Sequence, residues 1–155
     1  MKKIHLSILY LLLAQLVIAQ YTPRESMLGV RGGGSVGITY KKFFGNNFAF
    51  EAIGARDFPR QNGGLFFSGL FEKHAPLAGK RFSALLGAGP SYHIERKSAG
   101  IVAVIGFDWR VLNSPINFQA DWSPAYYFKG EDKFSVVNAA ISLRYILNRK
   151  RVYNE

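Results

Sequence analysis

The sequence predicts an all-β fold, an antiparallel up-and-down transmembrane β-barrel, on three observations. From Met27 onward apolar and polar residues alternate at period two, with no convincing 3.6-residue amphipathic stretch. The alternating segments run about ten to fourteen residues, enough for a tilted strand to cross a bilayer and about twice an ordinary globular strand. Their polar faces mix Gly, Ser, Asn and Gln with isolated ions of both signs, as a packed barrel interior does and a water-facing sheet does not.

Residues 1–19 have the form of a secretory signal peptide. Lys2 and Lys3 precede an apolar run from Ile4 to Ile18, and Val17 and Ala19 offer a small-residue cleavage pattern before polar Gln20. The run is shorter than the roughly 18 to 20 apolar residues of a membrane-spanning helix. Residues 20–147 then make one barrel domain, and residues 148–155, NRKRVYNE, a short basic tail.

The first part of the barrel turns on the glycines Gly32, Gly33 and Gly34. The apolar phase of Leu28 and Val30 passes unbroken into Val36, Ile38 and Tyr40, which suits one long strand kinked by glycine. Single-chain bacterial barrels have even strand numbers, however, and a chain entering from the periplasm begins with an upward strand, which suits two strands, 21–30 and 35–43, joined by a glycine turn. Seven segments are clear, and the even-number rule favours eight.

In residues 48–57 and 65–74 the alternation is less clean, with Glu51 and Glu72 at interior positions of the segments. In residues 81–94, Phe82, Ala84, Leu86, Ala88, Tyr92 and Ile94 oppose Arg81, Ser83, Leu85, Gly87, Gly89, Ser91 and His93. In residues 99–111, Ile101, Ala103, Ile105, Phe107 and Trp109 oppose Gly100, Gly106, Asp108 and Arg110, with Val102 and Val104 on the second face. In residues 116–128, Ile116, Phe118, Ala120, Trp122, Pro124, Tyr126 and Phe128 oppose Asn117, Gln119, Asp121, Ser123, Ala125 and Tyr127. In residues 134–147, Val137, Ala139, Ile141, Leu143, Tyr145 and Leu147 oppose Asn138, Ser142 and Arg144. Tight connections FGNN, LAGK and NSP alternate with the more charged RQNG, ERKS and KGEDK, which places the latter three outside if short turns face the periplasm.

A soluble barrel would show the same alternation with the apolar face inward. The sparsely charged polar faces favour the inverted arrangement, in which Glu51, Glu72, Arg81, Asp108, Arg110, Asp121 and Arg144 pair inside. Aromatic residues near segment ends on the apolar face, Tyr40, Phe44, Phe107, Trp109, Tyr126, Phe128 and Tyr145, occupy girdle positions where a ring straddles hydrocarbon and headgroup.

Composition excludes several classes. Without Cys there is neither a disulfide framework nor a thiolate metal site. The formal charge of +10 falls to +8 when Lys2 and Lys3 are cleaved, but the cations lie at loops, strand ends and singly within strands. That pattern fits phosphorylated headgroups and not nucleic acid. The motif Gly32-x-Gly34-x-x-Gly37, with Asp57 twenty residues on, matches a dinucleotide loop, but a strand-period run follows it where a helix is required. Ser91, His93 and Glu95 share a face and suggest a lipid hydrolase, yet residues two apart on a strand stand about 7 Å apart, beyond direct nucleophile-to-base contact. His74 and His93 lie on different strands and fit satisfied interior or rim positions better than a metal centre. No catalytic, cofactor or metal residues are expected.

The signal ending in AQ, the strands GLFFSGLFEKH, FSALLGAGPSYHI and INFQADWSPAYYF, and the last strand ending ISLRYIL together resemble the small outer-membrane β-barrels of Gram-negative bacteria, the class that includes outer membrane proteins A and X. The resemblance covers nearly the whole exported chain and rests on architecture, so it transfers no functional residues. It departs from the class in its tail, since many such barrels end at the last aromatic residue. It implies a monomeric, porin-like wall in the outer membrane, with membrane lipids, lipopolysaccharide and the outer-membrane assembly machinery as partners. The expected function is non-enzymatic, in envelope structure or surface interaction, with a polar interior filled by side chains. The alternatives are a lipid-acting barrel enzyme and a secreted soluble barrel that binds an apolar ligand.

Overall fold

The computed structural model describes residues 24–45, 47–58, 63–78, 81–111, 113–129, 133–135 and 138–148. The expected signal peptide at 1–19, Gln20 to Pro23, Val137, the tail from Arg149, and parts of the RQNG, LAGK and KGEDK connections lie outside the described residues.

Ten hydrogen-bonded segments form eight wall strands. The first six are β1 (Ser26–Gly33), β2 (Ser35–Phe43), β3 (Phe48–Asp57), β4 (Leu65–Ala78), β5 (Phe82–His93) and β6 (Ser98–Arg110). The seventh is divided into β7 (Ile116–Trp122) and β8 (Ala125–Tyr127), and the eighth into β9 (Phe134–Ser135) and β10 (Ala139–Ile146). Each wall strand pairs antiparallel with the next, and β1 pairs with β10 from Met27 opposite Ile146 to Gly33 opposite Ala140, so the sheet closes on itself. Closure leaves no unpaired edge.

The glycines join two strands. Gly34 is the pivot, its N–H donating to the Ala139 carbonyl at 2.8 Å, and Gly33 takes φ +142°, a conformation that favours glycine. The first strand begins at Ser26 and reaches Gly33, later at both ends than the expected 21–30. Val30 is opposite Ile38 and Arg31 opposite Gly37, every pair centred on Gly34, so partners share sequence parity. An unbroken apolar phase is therefore what this hairpin produces, and phase alone could not separate it from a single kinked strand.

The expected segment 116–128 is interrupted at Ser123 and Pro124. Proline has no N–H to give the ladder, but its carbonyl still accepts from the Ala103 N–H at 3.0 Å, and the Ser123 N–H donates to Asn138 at 2.8 Å. The wall stays hydrogen-bonded across the break.

The two faces are inverted relative to a soluble sheet. Leu28, Val30, Val36, Ile38, Ile141, Leu143 and Tyr145 point outward at 42–64 % exposure, whereas Arg31, Lys41, Glu51 and Arg144 point inward at 0–2 %. Outward aromatic side chains gather at the end where β1 begins: Trp109 lies opposite both Phe82 and Phe118, and Leu28 opposite both Tyr40 and Tyr145. Tyr126 and Phe128 pack edge to face, 6.1 Å between centroids, at the other end.

The interior is filled in regions. Met27, Phe43, Ala49 and Ile146 form a buried apolar cluster at the end where β1 begins. Ile53, Ala55, Phe66, Leu70, Leu85, Val102, Val104, Ala125 and Tyr127 form a second, towards the opposite end. The interior is thus apolar in part, which explains the blurred alternation of β3 and β4: Ile53, Phe66 and Leu70 face inward on strands whose outer face is also apolar.

Candidate functional site

Between the two apolar clusters lies a polar network that strand alternation builds from seven of the eight wall strands. Thr39 and Lys41 come from β2, Glu51 from β3, Glu72 and His74 from β4, Ser83 from β5, Asp108 from β6, Asn117 and Gln119 from β7 and Arg144 from β10. All are buried at 2 % exposure or less.

Lys41 is central. Its Nζ lies 3.1 Å from Glu51 Oε2 and 2.5 Å from Glu72 Oε2, and it also donates to Gln119 Oε1. Arg144 bonds Glu51 through one terminal nitrogen and Gln119 Oε1 at 2.9 Å through the other. The Thr39 hydroxyl donates to Glu51, and Asn117 Nδ2 donates to Asp108 Oδ1 at 2.6 Å. His74 sets Nε2 3.0 Å from Glu72 Oε2 and Nδ1 3.4 Å from Ser83 Oγ, its ring edge-on to Phe43 with centroids 5.0 Å apart.

Two further ion pairs brace the wall. Arg31 on β1 forms a bidentate bond to Asp121 on β7 at 2.8 and 2.7 Å and reaches Ser123 Oγ at 2.9 Å. Arg110, at the end of β6, forms another to Glu25 just before β1, at 3.1 and 2.7 Å. Such forked pairs fix geometry as well as charge.

Of the ions expected inside, Glu51, Glu72, Asp108, Arg110, Asp121 and Arg144 are there. Arg81 is not: it sits exposed in the turn before β5, its carbonyl accepting from the Arg110 N–H at 2.7 Å. Sequence reading missed Arg31, Lys41 and Glu25 as their partners. Parity could have found the first two, since Val30, Ile38 and Tyr40 face outward and so turn Arg31 and Lys41 inward. Glu25 precedes the strand, where alternation gives no guidance.

At the opposite rim, Ser91 and His93 are engaged with different partners. Ser91 and Ser68 hydroxyls bond at 2.8 Å, and Ser91 also reaches the Phe67 carbonyl at 3.3 Å. His93 Nε2 faces Asp57 at 3.9 Å, its Nδ1 faces Glu95 at 3.7 Å, and its ring meets Tyr127 edge-on with centroids 5.8 Å apart. The Glu95 carboxyl is held below its ordinary range, chiefly by a hydrogen bond from the Leu65 backbone. These contacts make a polar cluster at the rim. Among the described residues no three His, Asp or Glu side chains are placed to hold a metal ion. Gly32 to Gly34 lead into β2, so no helix N-terminus stands ready for a phosphate.

Compared with family models, with curated proteins and with solved structures, the chain shows no match. Fold and site together define a closed, eight-stranded antiparallel barrel with a cross-braced charged interior and an apolar outer face.

Proposed function

We propose that this chain is a non-enzymatic integral outer-membrane barrel with an envelope-structural or surface-interaction role. The observation that carries the reading is the inversion of the wall: apolar side chains from Leu28 to Tyr145 stand exposed while Arg31, Lys41, Glu51 and Arg144 are buried. In water that arrangement costs twice, once for exposed apolar area and once for desolvated ions. In lipid the outer face is in its own solvent, and a closed ladder leaves no backbone group unpaired. The expected leader at residues 1–19 and a barrel whose first strand begins on the side where its last strand ends fit insertion from the periplasm.

The interior supports a structural role over a conduit. An eight-stranded barrel is just wide enough for side chains to fill, and here two apolar clusters lie to either side of the ionic network. Cell fractionation with a heat-modifiability gel tests the reading. The protein is expected in the outer-membrane fraction, with a folded band that shifts on boiling. Recovery in the soluble periplasmic or secreted fraction without detergent would overturn it.

A further inference from the structure

The outward face of the wall carries charge of one sign. Among the described strand residues, the outward-facing charged side chains are Lys42, Arg56 and Lys73, while Glu51, Asp57, Glu72, Asp108 and Asp121 fall on the inward parity. Lys42 and Arg56 stand one residue from the ends of β2 and β3, and Lys73 stands within β4, opposite the first residue of β3; from such positions a long aliphatic stem can lie along an apolar wall and carry its charged head towards the interface.

Two of them flank one strand at the end where β1 begins. Lys42 on β2 is opposite Phe50 on β3, and Lys73 on β4 is opposite Phe48. Two strand spacings and two residue rises put their Cα atoms about 12 Å apart. Two four-carbon stems can close that gap onto one phosphate. Lys73 already leans sideways over β3 on the outer face, its Nζ 5.5 Å from the Phe48 ring centroid, and Phe48 is half exposed beneath it. Further along the wall, Phe50 and Phe71 meet edge-on with centroids 5.4 Å apart. A Cβ at Gly69 would stand 3.3 Å from the Phe50 ring, so that glycine lets the ring lie against the wall. The result is a pair of cations above an aromatic floor.

We infer that this patch is a headgroup site for an anionic phospholipid, with Lys42 and Lys73 on the phosphate and Phe50 and Phe71 under the start of the acyl chains. The inference rests on the membrane reading above. Net negative charge is specified because the carboxylates of the same strands, Glu51 and Glu72, face inward and are engaged by Lys41 and Arg144. A zwitterionic headgroup would bring its own cation to two ammonium groups.

The test uses the folded protein in two arms. In the first it is refolded into phosphatidylcholine vesicles and followed by the heat-modifiability gel; failure to fold there removes the membrane reading and this site with it. In the second it is held in detergent with equal phosphatidylglycerol and phosphatidylcholine, and retained lipid is counted by native mass spectrometry. Phosphatidylglycerol is expected to be preferred about tenfold. The preference should fall to near parity in Lys42→Gln/Lys73→Gln and persist in Lys42→Arg/Lys73→Arg. Equal retention by the natural protein overturns the site while leaving the membrane reading standing. So does a preference that survives the Gln pair, or one lost equally in Lys97→Gln/Lys133→Gln at the other end.

Discussion

Replacing Lys41 by Met removes a cation in direct contact with both Glu51 and Glu72, at 3.1 and 2.5 Å in the fully buried interior. A unit charge pair at about 3 Å is worth on the order of 5 kcal/mol at an effective dielectric of about 20. Lys41 makes two such contacts, and burying its ammonium returns several kcal/mol of that gain. Met fills nearly the same volume, so little of the loss comes from a cavity. The net expectation is a destabilisation of about 3–5 kcal/mol, the usual result of stranding a buried charge. Urea titration in detergent micelles, with the folded fraction read from the heat-shifted band, measures it. Lys41→Met/Glu72→Gln removes one stranded carboxylate along with the lysine and should recover part of the loss, with a coupling of about 1.5–3 kcal/mol. Lys41→Met within about 1 kcal/mol of the natural protein, or two additive substitutions, would refute the premise that these charges are held by each other.

Gly33→Val should cost more than about 2 kcal/mol in the same titration, because φ is +142° and its Cβ would stand 2.7 Å from Ala140 Cα; Gly32→Ala, with open space around the new Cβ, should be nearly neutral. Arg31→Met should lose about 3 kcal/mol by stranding Asp121, and Arg31→Met/Asp121→Leu should regain most of it; a double variant no better than the single one counts against the brace. Planar-bilayer recordings should show no large, stable conductance, and observing one would contradict an interior closed by side chains. The depressed Glu95 carboxyl contributes stability above its unfolded pKa, and that contribution is lost as pH falls through the lower folded value. Glu95→Gln should therefore flatten the acid side of the stability profile, and an unchanged profile would remove Glu95 from the account.

Most of the wall was legible because a period-two pattern states both strand and face, and residues 116–122 and 139–146 keep it closely, while in 82–93 and 98–110 the inward Leu85, Val102 and Val104 are the apolar exceptions. Three things resisted, each for a physical reason. The hairpin at Gly34 conserves parity, so its two strands share one phase. Interior apolar residues such as Ile53, Phe66 and Leu70 remove the contrast between faces on β3 and β4. In YKKF, adjacent lysines take opposite fates, Lys41 buried among carboxylates and Lys42 exposed; composition does not separate them, and only strand parity, which went unused there, does. Arg81 misled for a related reason: alternation was carried one residue past the strand, into a turn that does not obey it. Partner choice within the network was not legible at all, because it depends on which strands face each other across the closed barrel.

That dependence ties the ions to closure. Arg31 and Asp121 sit on β1 and β7, separated in the sheet by β10; Lys41 and Glu72 sit on β2 and β4, separated by β3. Arg144 on β10 reaches Glu51 on β3 past both β1 and β2, and Arg110 at the end of β6 reaches Glu25 before β1. None of these pairs joins neighbouring strands, so a local hairpin satisfies none of them. The Lys41–Glu51 pair can form within the β2–β3 hairpin, but the remaining ions would stay unpaired, and only the curved, closed sheet brings every partner within reach. Pairing strands and pairing ions are therefore parts of one cooperative step: partly assembled walls keep the desolvation cost of their charges without the compensating contacts. An ionic interior that adds little net stability over an apolar one can still select the eight-stranded closed barrel, because the alternatives are penalised more heavily than the native state is rewarded.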